Sequence, residues 1–118
     1  MRRSLLKIGL LLVACVSVAV AGCASSSSSG SAKNPHVAEA ITHAQEAVDH
    51  GGMGHADAVV THAEVALQHA QAAQKDMSNP HLDAGVTELG EAITHGKAGH
   101  ADVATSHAKS AIMHLNEI

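Results

Sequence analysis

The sequence predicts an all-α protein, an up-down-up-down antiparallel four-helix bundle made of two repeated helical hairpins. Three observations lead to this prediction. Apolar residues recur at helical spacing, and no segment alternates with the period of two that is typical of a strand. The second half of the chain repeats the first at an offset of 45 residues. Each half is interrupted by a short glycine-bounded turn, and short connections favour antiparallel neighbouring helices.

Each predicted hairpin begins with the dipeptide Asn-Pro, at residues 34–35 and again at residues 79–80. Asparagine is a good helix N-cap, and proline is suited to the first helical position. Glycines at residues 51–54 and 96–99 mark the turn inside each repeat. The four helices are therefore predicted at about residues 35–50, 55–75, 80–95 and 100–117.

Eleven histidines in 118 residues are the most unusual feature of the composition. In the first half they are spaced at intervals of 7, 7, 5, 7 and 7 residues, and the interval of 5 spans the turn. Antiparallel helices would therefore bring each histidine level with another one. The second half repeats the spacing except at Glu88, which takes the place that corresponds to His43. The candidate metal-ligating histidines are His36, His43, His50, His55, His62, His69, His81, His95, His100, His107 and His114.

The heptad pattern predicts the same pairing independently. With Val37 assigned to position a, most apolar residues of the four segments fall on a, d and e, and every histidine falls on g. An a, d and e stripe has the width expected of a helix in a bundle. The g positions of two antiparallel helices face each other, so each hairpin is expected to carry a seam of histidines between its two helices.

Facing imidazoles, with carboxylates nearby and no thiolate, point to divalent Cu, Ni or Zn. Seven residues rise about 10.5 Å along a helix. Ligands so far apart cannot share one ion with bonds of about 2.0–2.1 Å. We therefore expect separate levels, each completed by water or by carboxylates on the same helix face. The candidate carboxylate ligands are Glu39, Glu46, Glu88 and Glu91.

Residues 1–22 are predicted to be a lipoprotein signal peptide. Two arginines begin it, and an apolar run follows at residues 8–21, too short for a comfortable membrane span. The run ends in Val-Ala-Gly-Cys, which resembles a bacterial lipobox, so we expect Cys23 to be lipidated. The alternative is an ordinary signal peptide that happens to contain this cysteine. The predicted domains are residues 1–22, the signal peptide; residues 23–33, the lipidated cysteine and a serine-rich flexible tether; and residues 34–118, the histidine-rich bundle.

The predicted mature chain is acidic. Four lysines and eleven acidic residues remain after removal of the signal peptide, a net charge of 4 − 11 = −7 with neutral histidines. This charge disfavours nucleic-acid binding and attracts small cations. The lipobox predicts a lipid-anchored protein of the cell envelope that faces the periplasm. The residue after Cys23 is Ala24, not the aspartate that retains enteric lipoproteins in the inner membrane, and this favours the outer membrane.

Two other classes of function remain open at this point. A pH-responsive bundle, or an interaction module switched by protonation, is the main alternative, because stacked imidazoles that titrate near pKa 6.5 would repel each other when charged. An enzyme is disfavoured. Di-iron bundle enzymes carry Glu-x-x-His motifs that point into the core, whereas the core positions here are alanine, valine and leucine.

Two stretches of the chain resemble a known family. The run from Gly99 to Leu115, GHADVATSHAKSAIMHL, and the run from Glu91 to Gly96, EAITHG, are similar to the bacterial periplasmic small metal-binding protein family, and the similarity extends over about residues 36–115. The resemblance implies a monomeric four-helix bundle that binds several divalent metal ions, copper among them, with no known catalysis. Cu2+ is therefore the first expectation, followed by Ni2+ and Zn2+. The lipobox, the serine tether and Glu88 depart from the family pattern.

Overall fold

The computed structural model describes residues 34–118 and contains four helices and no strand in this range. The predicted signal peptide, lipidation site and tether lie outside the described residues. None of the described helices is long and apolar enough to cross a membrane. The helices are α1 (Pro35–Gly52), α2 (Ala56–Asp76), α3 (Pro80–Lys97) and α4 (Ala101–Asn116).

The four helices form the predicted bundle. Each helix packs against the next one along the chain, and α1 also packs against α4. The predicted fold class is therefore confirmed. The predicted turns are too long, because α1 and α3 each continue two residues beyond the predicted helix end.

The turn within each hairpin is a Schellman motif. Gly54 has φ 79°, and its N–H donates to the carbonyl of Gly51 at 3.0 Å, while the N–H of His55 donates to the carbonyl of His50, also at 3.0 Å. The second turn repeats both hydrogen bonds at 2.9 Å, around Gly99 with φ 80°. A positive φ favours glycine because it has no Cβ. The motif sets the register of the hairpin by holding the histidines on its two sides next to each other.

The first helix of each hairpin begins at the predicted cap. The side chain of Asn34 accepts a hydrogen bond from the N–H of His36 at 2.9 Å, and Asn79 accepts one from His81 at 2.8 Å. Proline follows each cap residue at the first helical position. The caps therefore place a histidine in the first turn of both α1 and α3.

The core contains mainly alanine with a few larger aliphatic residues. The largest fully buried side chains are Leu82, Leu89, Leu115, Val37 and Val59. Alanine removes little apolar area from water but lets helix axes approach closely. The fully buried alanines are Ala40, Ala44, Ala47, Ala63, Ala66, Ala70, Ala73, Ala92, Ala104, Ala108 and Ala111.

Two glycines allow close approach where the hairpins meet. A Cβ on Gly51 would overlap the side chain of Thr105, and a Cβ on Gly96 would lie 2.5 Å from Cγ2 of Val60. Gly51 and Gly96 are equivalent under the 45-residue repeat, and so are Val60 and Thr105. The contact between hairpins is therefore made twice, in related ways, close to the two Schellman turns.

Candidate metal-binding columns

The histidines of each hairpin line the groove between its two helices. We call those of the first hairpin the first column and those of the second hairpin, together with Glu88, the second column. All are partly buried except the two that follow the Schellman turns, which are exposed. The first column is His36, His43, His50, His55, His62 and His69; the second column is His81, Glu88, His95, His100, His107 and His114.

Level histidines of the first column lie in ring contact. The ring centroids are 5.8 Å apart for His36 and His69 and 6.3 Å apart for His43 and His62. The pair on the two sides of the turn, His50 and His55, lies 6.2 Å apart. The second column repeats this with 6.2 Å between His81 and His114. The g positions therefore face each other, as the heptad phase predicts.

Diagonal contacts in the first column are closer than the level ones. His43 lies 5.6 Å from His69 with an interplanar angle of 4°, and His50 lies 5.0 Å from His62 with an angle of 9°. Side chains on a helix lean toward its N-terminus, so rings on antiparallel helices lean in opposite directions and fit between one another. We predicted separate levels from the rise along one helix, and that prediction left out the opposite lean of the side chains on the two helices. The rings instead form one zigzag series through all six histidines.

The first candidate site lies at the start of the first column. Nδ1 of His36 and Nδ1 of His69 are 3.5 Å apart. Oε2 of Glu39 lies 3.6 Å from the former nitrogen and 2.9 Å from the latter. Two ligands bound at about 2.1 Å to one ion lie about 3–4 Å apart. The three donor atoms therefore already form a triangle of the size that a first-row divalent ion requires.

The second candidate site lies one heptad further along. Oε2 of Glu46 accepts a hydrogen bond from Nδ1 of His43 at 2.9 Å and also lies 2.9 Å from Nδ1 of His62. The hydrogen bond from His43 holds the pKa of Glu46 below its ordinary value; burial opposes this, and the charges of His43 and His62 add to it. A carboxylate kept ionised in this way is ready to bind a cation.

The third candidate site includes a ligand that the sequence analysis missed. His81, His114 and Glu117 each offer a donor atom within 4.8 Å of the others, and Oε2 of Glu117 lies 2.7 Å from Nδ1 of His81. Glu117 follows His114 by three residues, as Glu39 follows His36. This spacing could have identified it.

The fourth candidate site lies in the second column, near Glu88. Glu91, His95 and His107 each offer a donor atom within 4.8 Å of the others. His95 stacks on His107 with ring centroids 5.2 Å apart and an angle of 5°. Nδ1 of His107 donates to Oε2 of Glu88 at 2.8 Å. Glu88 therefore lies beside this group, in contact with His107, and outside the three donor atoms that come together.

Three predicted histidines join none of these groups. His50 stacks on His62, while the rings of His55 and His100 lie 6.2 and 6.0 Å from the ring of the histidine before their turn. Nδ1 of His50 and Nδ1 of His114 are inaccessible to solvent and have no hydrogen-bond partner within residues 34–118. An imidazole nitrogen in this state is available as a metal ligand.

Comparison with known proteins agrees with this geometry. The family described as small metal-binding protein matches residues 7–118. The chain belongs to the small metal-binding protein family. Membership in the small metal-binding protein family, together with the four His/Glu groups, supports binding of metal ions. No curated protein matches the chain significantly.

Proposed function

We propose that the protein is a periplasm-facing lipoprotein that sequesters or buffers divalent transition-metal ions through its two histidine columns. Cu2+ is the first expected ion, and Ni2+ and Zn2+ follow. Imidazole nitrogen with carboxylate oxygen and without thiolate is the ligand chemistry that suits these ions. Family membership supports metal binding, while the identity of the ion and the role in the envelope are parts of the proposal.

One observation carries the proposal: the triangle formed by His36, Glu39 and His69. Its sides of 3.5, 3.6 and 2.9 Å match the separation of ligands around one ion. His36 and Glu39 lie on α1 and His69 lies on α2, so only the folded hairpin brings the three donors together. The folded chain therefore binds the ion more tightly than the unfolded chain does, and binding stabilises the fold.

Buffering fits these sites better than a fixed structural role. Each of the four groups offers two imidazoles and one carboxylate, so water would complete the coordination shell. Sites that keep open positions exchange ligands readily, whereas structural sites are closed by four protein ligands. Neighbouring imidazoles 5.0–6.3 Å apart in the first column also give a released ion a nearby second ligand.

The proposed location rests on the lipobox at Cys23. Residue 34, where the tether would join the bundle, lies at the end opposite the two Schellman turns, because α1 runs away from it toward the first turn. The exposed His55 and His100 would then lie at the end of the bundle that is farther from the membrane. Mass spectrometry of the mature N-terminus should find diacylglycerol on Cys23. An unmodified N-terminus at Ala24 or later on most of the protein would rule the anchor out.

Thermal unfolding with and without metal tests the function. The full-length protein, purified without a histidine tag, is compared at pH 7.5 after chelation and after addition of Cu2+, Ni2+ or Zn2+. An ion at a hundredfold excess over Kd stabilises the folded state by about 2.7 kcal/mol for each site. For a domain of this size about 4–8 °C is gained per kcal/mol, so the melting temperature should rise by at least about 10 °C.

Matched variants connect this stabilisation to the columns. His43→Gln with His62→Gln removes one facing pair and should lower both the number of bound ions and the thermal shift. Thr42→Ala with Thr61→Ala is the control, since both side chains are exposed and bond only to carbonyls of their own helices. This control should keep the wild-type metal response.

A pH-responsive bundle is the second candidate function. The stacked rings favour it, because protonated imidazoles at these distances repel each other. If chelated and metal-loaded wild type melt alike at pH 7.5, and calorimetry finds no saturable binding of divalent ions, metal buffering is wrong and this candidate replaces it.

A further inference from the structure

We propose that Glu88 is a positioning residue of the fourth candidate site and not one of its ligands: it holds the proton on Nδ1 of His107 and thereby leaves Nε2 of this histidine as the metal-binding nitrogen. The proposal rests on the proposed function, since it assigns a role at one of the proposed metal sites. Glu88 is the member of the two columns that is not a histidine, and it lies beside the donor atoms of Glu91, His95 and His107 without joining them.

Glu88 makes a short hydrogen bond across the groove to His107. Nδ1 of His107 lies 2.8 Å from Oε2 of Glu88. An ionised carboxylate can only accept hydrogen bonds, so the nitrogen that faces it carries a proton. A neutral imidazole has one N–H and one nitrogen lone pair, so a proton on Nδ1 leaves the lone pair on Nε2. The contact with Glu88 therefore determines which nitrogen of His107 can bind an ion.

The burial of both partners favours this hydrogen bond over contacts with water. The side chain of Glu88 is 27% exposed, compared with 44% for Glu46 and 55% for Glu39. The difference follows from the heptad position, because Glu88 lies at g, inside the groove with the histidines, whereas the other two lie at c. A carboxylate that has lost this much water requires hydrogen-bond donors in its place, and Nδ1 of His107 provides one.

A second contact restrains the same imidazole ring. His95 stacks on His107 with ring centroids 5.2 Å apart and an interplanar angle of 5°. A flip of the His107 ring by 180° would keep this stack but would lose the hydrogen bond to Glu88, so the two contacts together select one orientation. Histidine ligands commonly donate their other ring N–H to a carboxylate, which fixes the tautomer and raises the basicity of the nitrogen that binds the metal.

The first column lacks this arrangement. His43 takes the place of Glu88 there, and Oε2 of Glu46 lies 2.9 Å from Nδ1 of both His43 and His62. Glu46 is itself a candidate ligand, so an ion that binds in this group displaces the proton that His43 shares with it. In the fourth site the carboxylate that holds the proton of His107 is separate from the candidate ligand Glu91. His107 can therefore bind an ion and keep its hydrogen bond.

Nitrogen NMR of the full-length, metal-free protein tests the contact without any metal. At pH 8, above the ordinary titration range of imidazole, two-bond 1H–15N correlations show which ring nitrogen carries the proton. In the wild type the proton of His107 should lie on Nδ1, whereas free histidine in water favours Nε2. Glu88→Ala should return the proton to Nε2, and Glu88→Gln should keep it on Nδ1, because the amide oxygen still accepts. Asp49→Ala is the control, since it removes the same charge from an exposed position on α1.

Titration with Zn2+ against a competing chelator extends the test to binding. In the wild type the 15N signal of Nε2 of His107 should shift while Nδ1 keeps its proton. Glu88→Ala should raise the Zn2+ dissociation constant measured at His107 by about 10–100-fold, the range found when a residue that supports a metal ligand is lost. Glu88→Gln should have a smaller effect, because it keeps the hydrogen bond without the charge, and Asp49→Ala should bind as the wild type does.

The outcomes separate this role from the proposed function. The positioning role is wrong if the proton of His107 lies on Nε2 in the metal-free wild type, if Zn2+ shifts Nδ1 instead, or if Glu88→Ala lowers the melting temperature without changing the tautomer or the affinity. Buffering stands in each of these cases as long as the signals of other histidines respond to Zn2+. If no histidine signal responds to Cu2+, Ni2+ or Zn2+, the proposed function fails and the positioning role fails with it.

Discussion

The two hairpins share caps, turns and core positions, yet their histidine columns differ at one place. In the first column His43 contacts the rings of both His62 and His69, so the series of imidazoles is continuous. In the second column Glu88 takes that place and bonds to His107, and within residues 34–118 no ring contact joins His107 to His114. The comparison indicates that the repeated backbone determines where ligands lie, while a single g residue determines whether they form a continuous column or separate groups.

Removing one column at a time should have the largest effect on binding. The first variant replaces four histidines of the first column by glutamine, and its counterpart does the same in the second column. Each column contains two of the four candidate groups, so each variant should bind about half as many ions as the wild type, measured by equilibrium dialysis and elemental analysis. The two sets are His36, His43, His62 and His69, and His81, His95, His107 and His114.

Independent columns require that these two losses add up to the whole. Combining both sets of substitutions should leave no saturable binding. If either set alone removes all binding, the two columns act as one site and the comparison between them is wrong.

Gly51→Ala should destabilise the protein next most strongly. The added Cβ would overlap the side chain of Thr105, and overpacking of this kind costs about 1–3 kcal/mol. The neighbouring Gly52→Ala is the matched control, because nothing lies within 4 Å of its added Cβ. Urea unfolding should show a loss for the first variant and little change for the second.

The second hairpin offers the same test at its equivalent glycine. Gly96→Ala places a Cβ 2.5 Å from Cγ2 of Val60 and should also destabilise. Combining Gly51→Ala with Thr105→Ala should recover part of the loss. Equal stability of the Gly51→Ala and Gly52→Ala variants would contradict the close packing between the hairpins.

The smallest effect is expected in the acid stability of the first column. The hydrogen bond from His43 is the main cause that lowers the pKa of Glu46, so the unfolded chain binds this proton more readily than the folded chain. The resulting stabilisation is complete above the ordinary pKa of 4.5 and is lost as the pH falls through the lowered value. The melting temperature of Glu46→Gln should therefore fall less than that of the wild type when the pH is lowered below the ordinary pKa of 4.5.

Asp49→Asn on the same helix is the control for that experiment. Asp49 is exposed and carries the same charge as Glu46 but lies outside the four candidate groups. If both substitutions change the acid dependence equally, the effect reflects net charge and not the hydrogen bond from His43.

The fold could be predicted from the sequence because several local signals agree. Asn34 and Asn79 begin helices, positive-φ glycines end the turns, and the 45-residue repeat requires the two hairpins to be alike. The facing of the histidines followed from the heptad phase. One feature did not follow. The diagonal contacts, such as that between His43 and His69, depend on the lean of side chains on antiparallel helices, which residue spacing does not contain.

The ligand groups could be predicted only in part. Glu39 and Glu46 were identified by their spacing from histidines of the same helix, and the same spacing applies to Glu117, which was missed. The choice between partners is a matter of tertiary geometry. Glu91 groups with His95 and His107, whereas its counterpart Glu46 groups with His43 and His62, and this difference depends on distances that only the folded chain defines.

Anomalous diffraction from crystals of the Cu2+-loaded protein tests the central claim most directly, because it locates the ions without reference to any spectroscopic interpretation. The account predicts copper peaks along the two columns. One should lie at about 2.0–2.2 Å from Nδ1 of His36, Nδ1 of His69 and Oε2 of Glu39. Copper peaks confined to the chain ends or to the outer faces of the helices, with both columns empty, would contradict it.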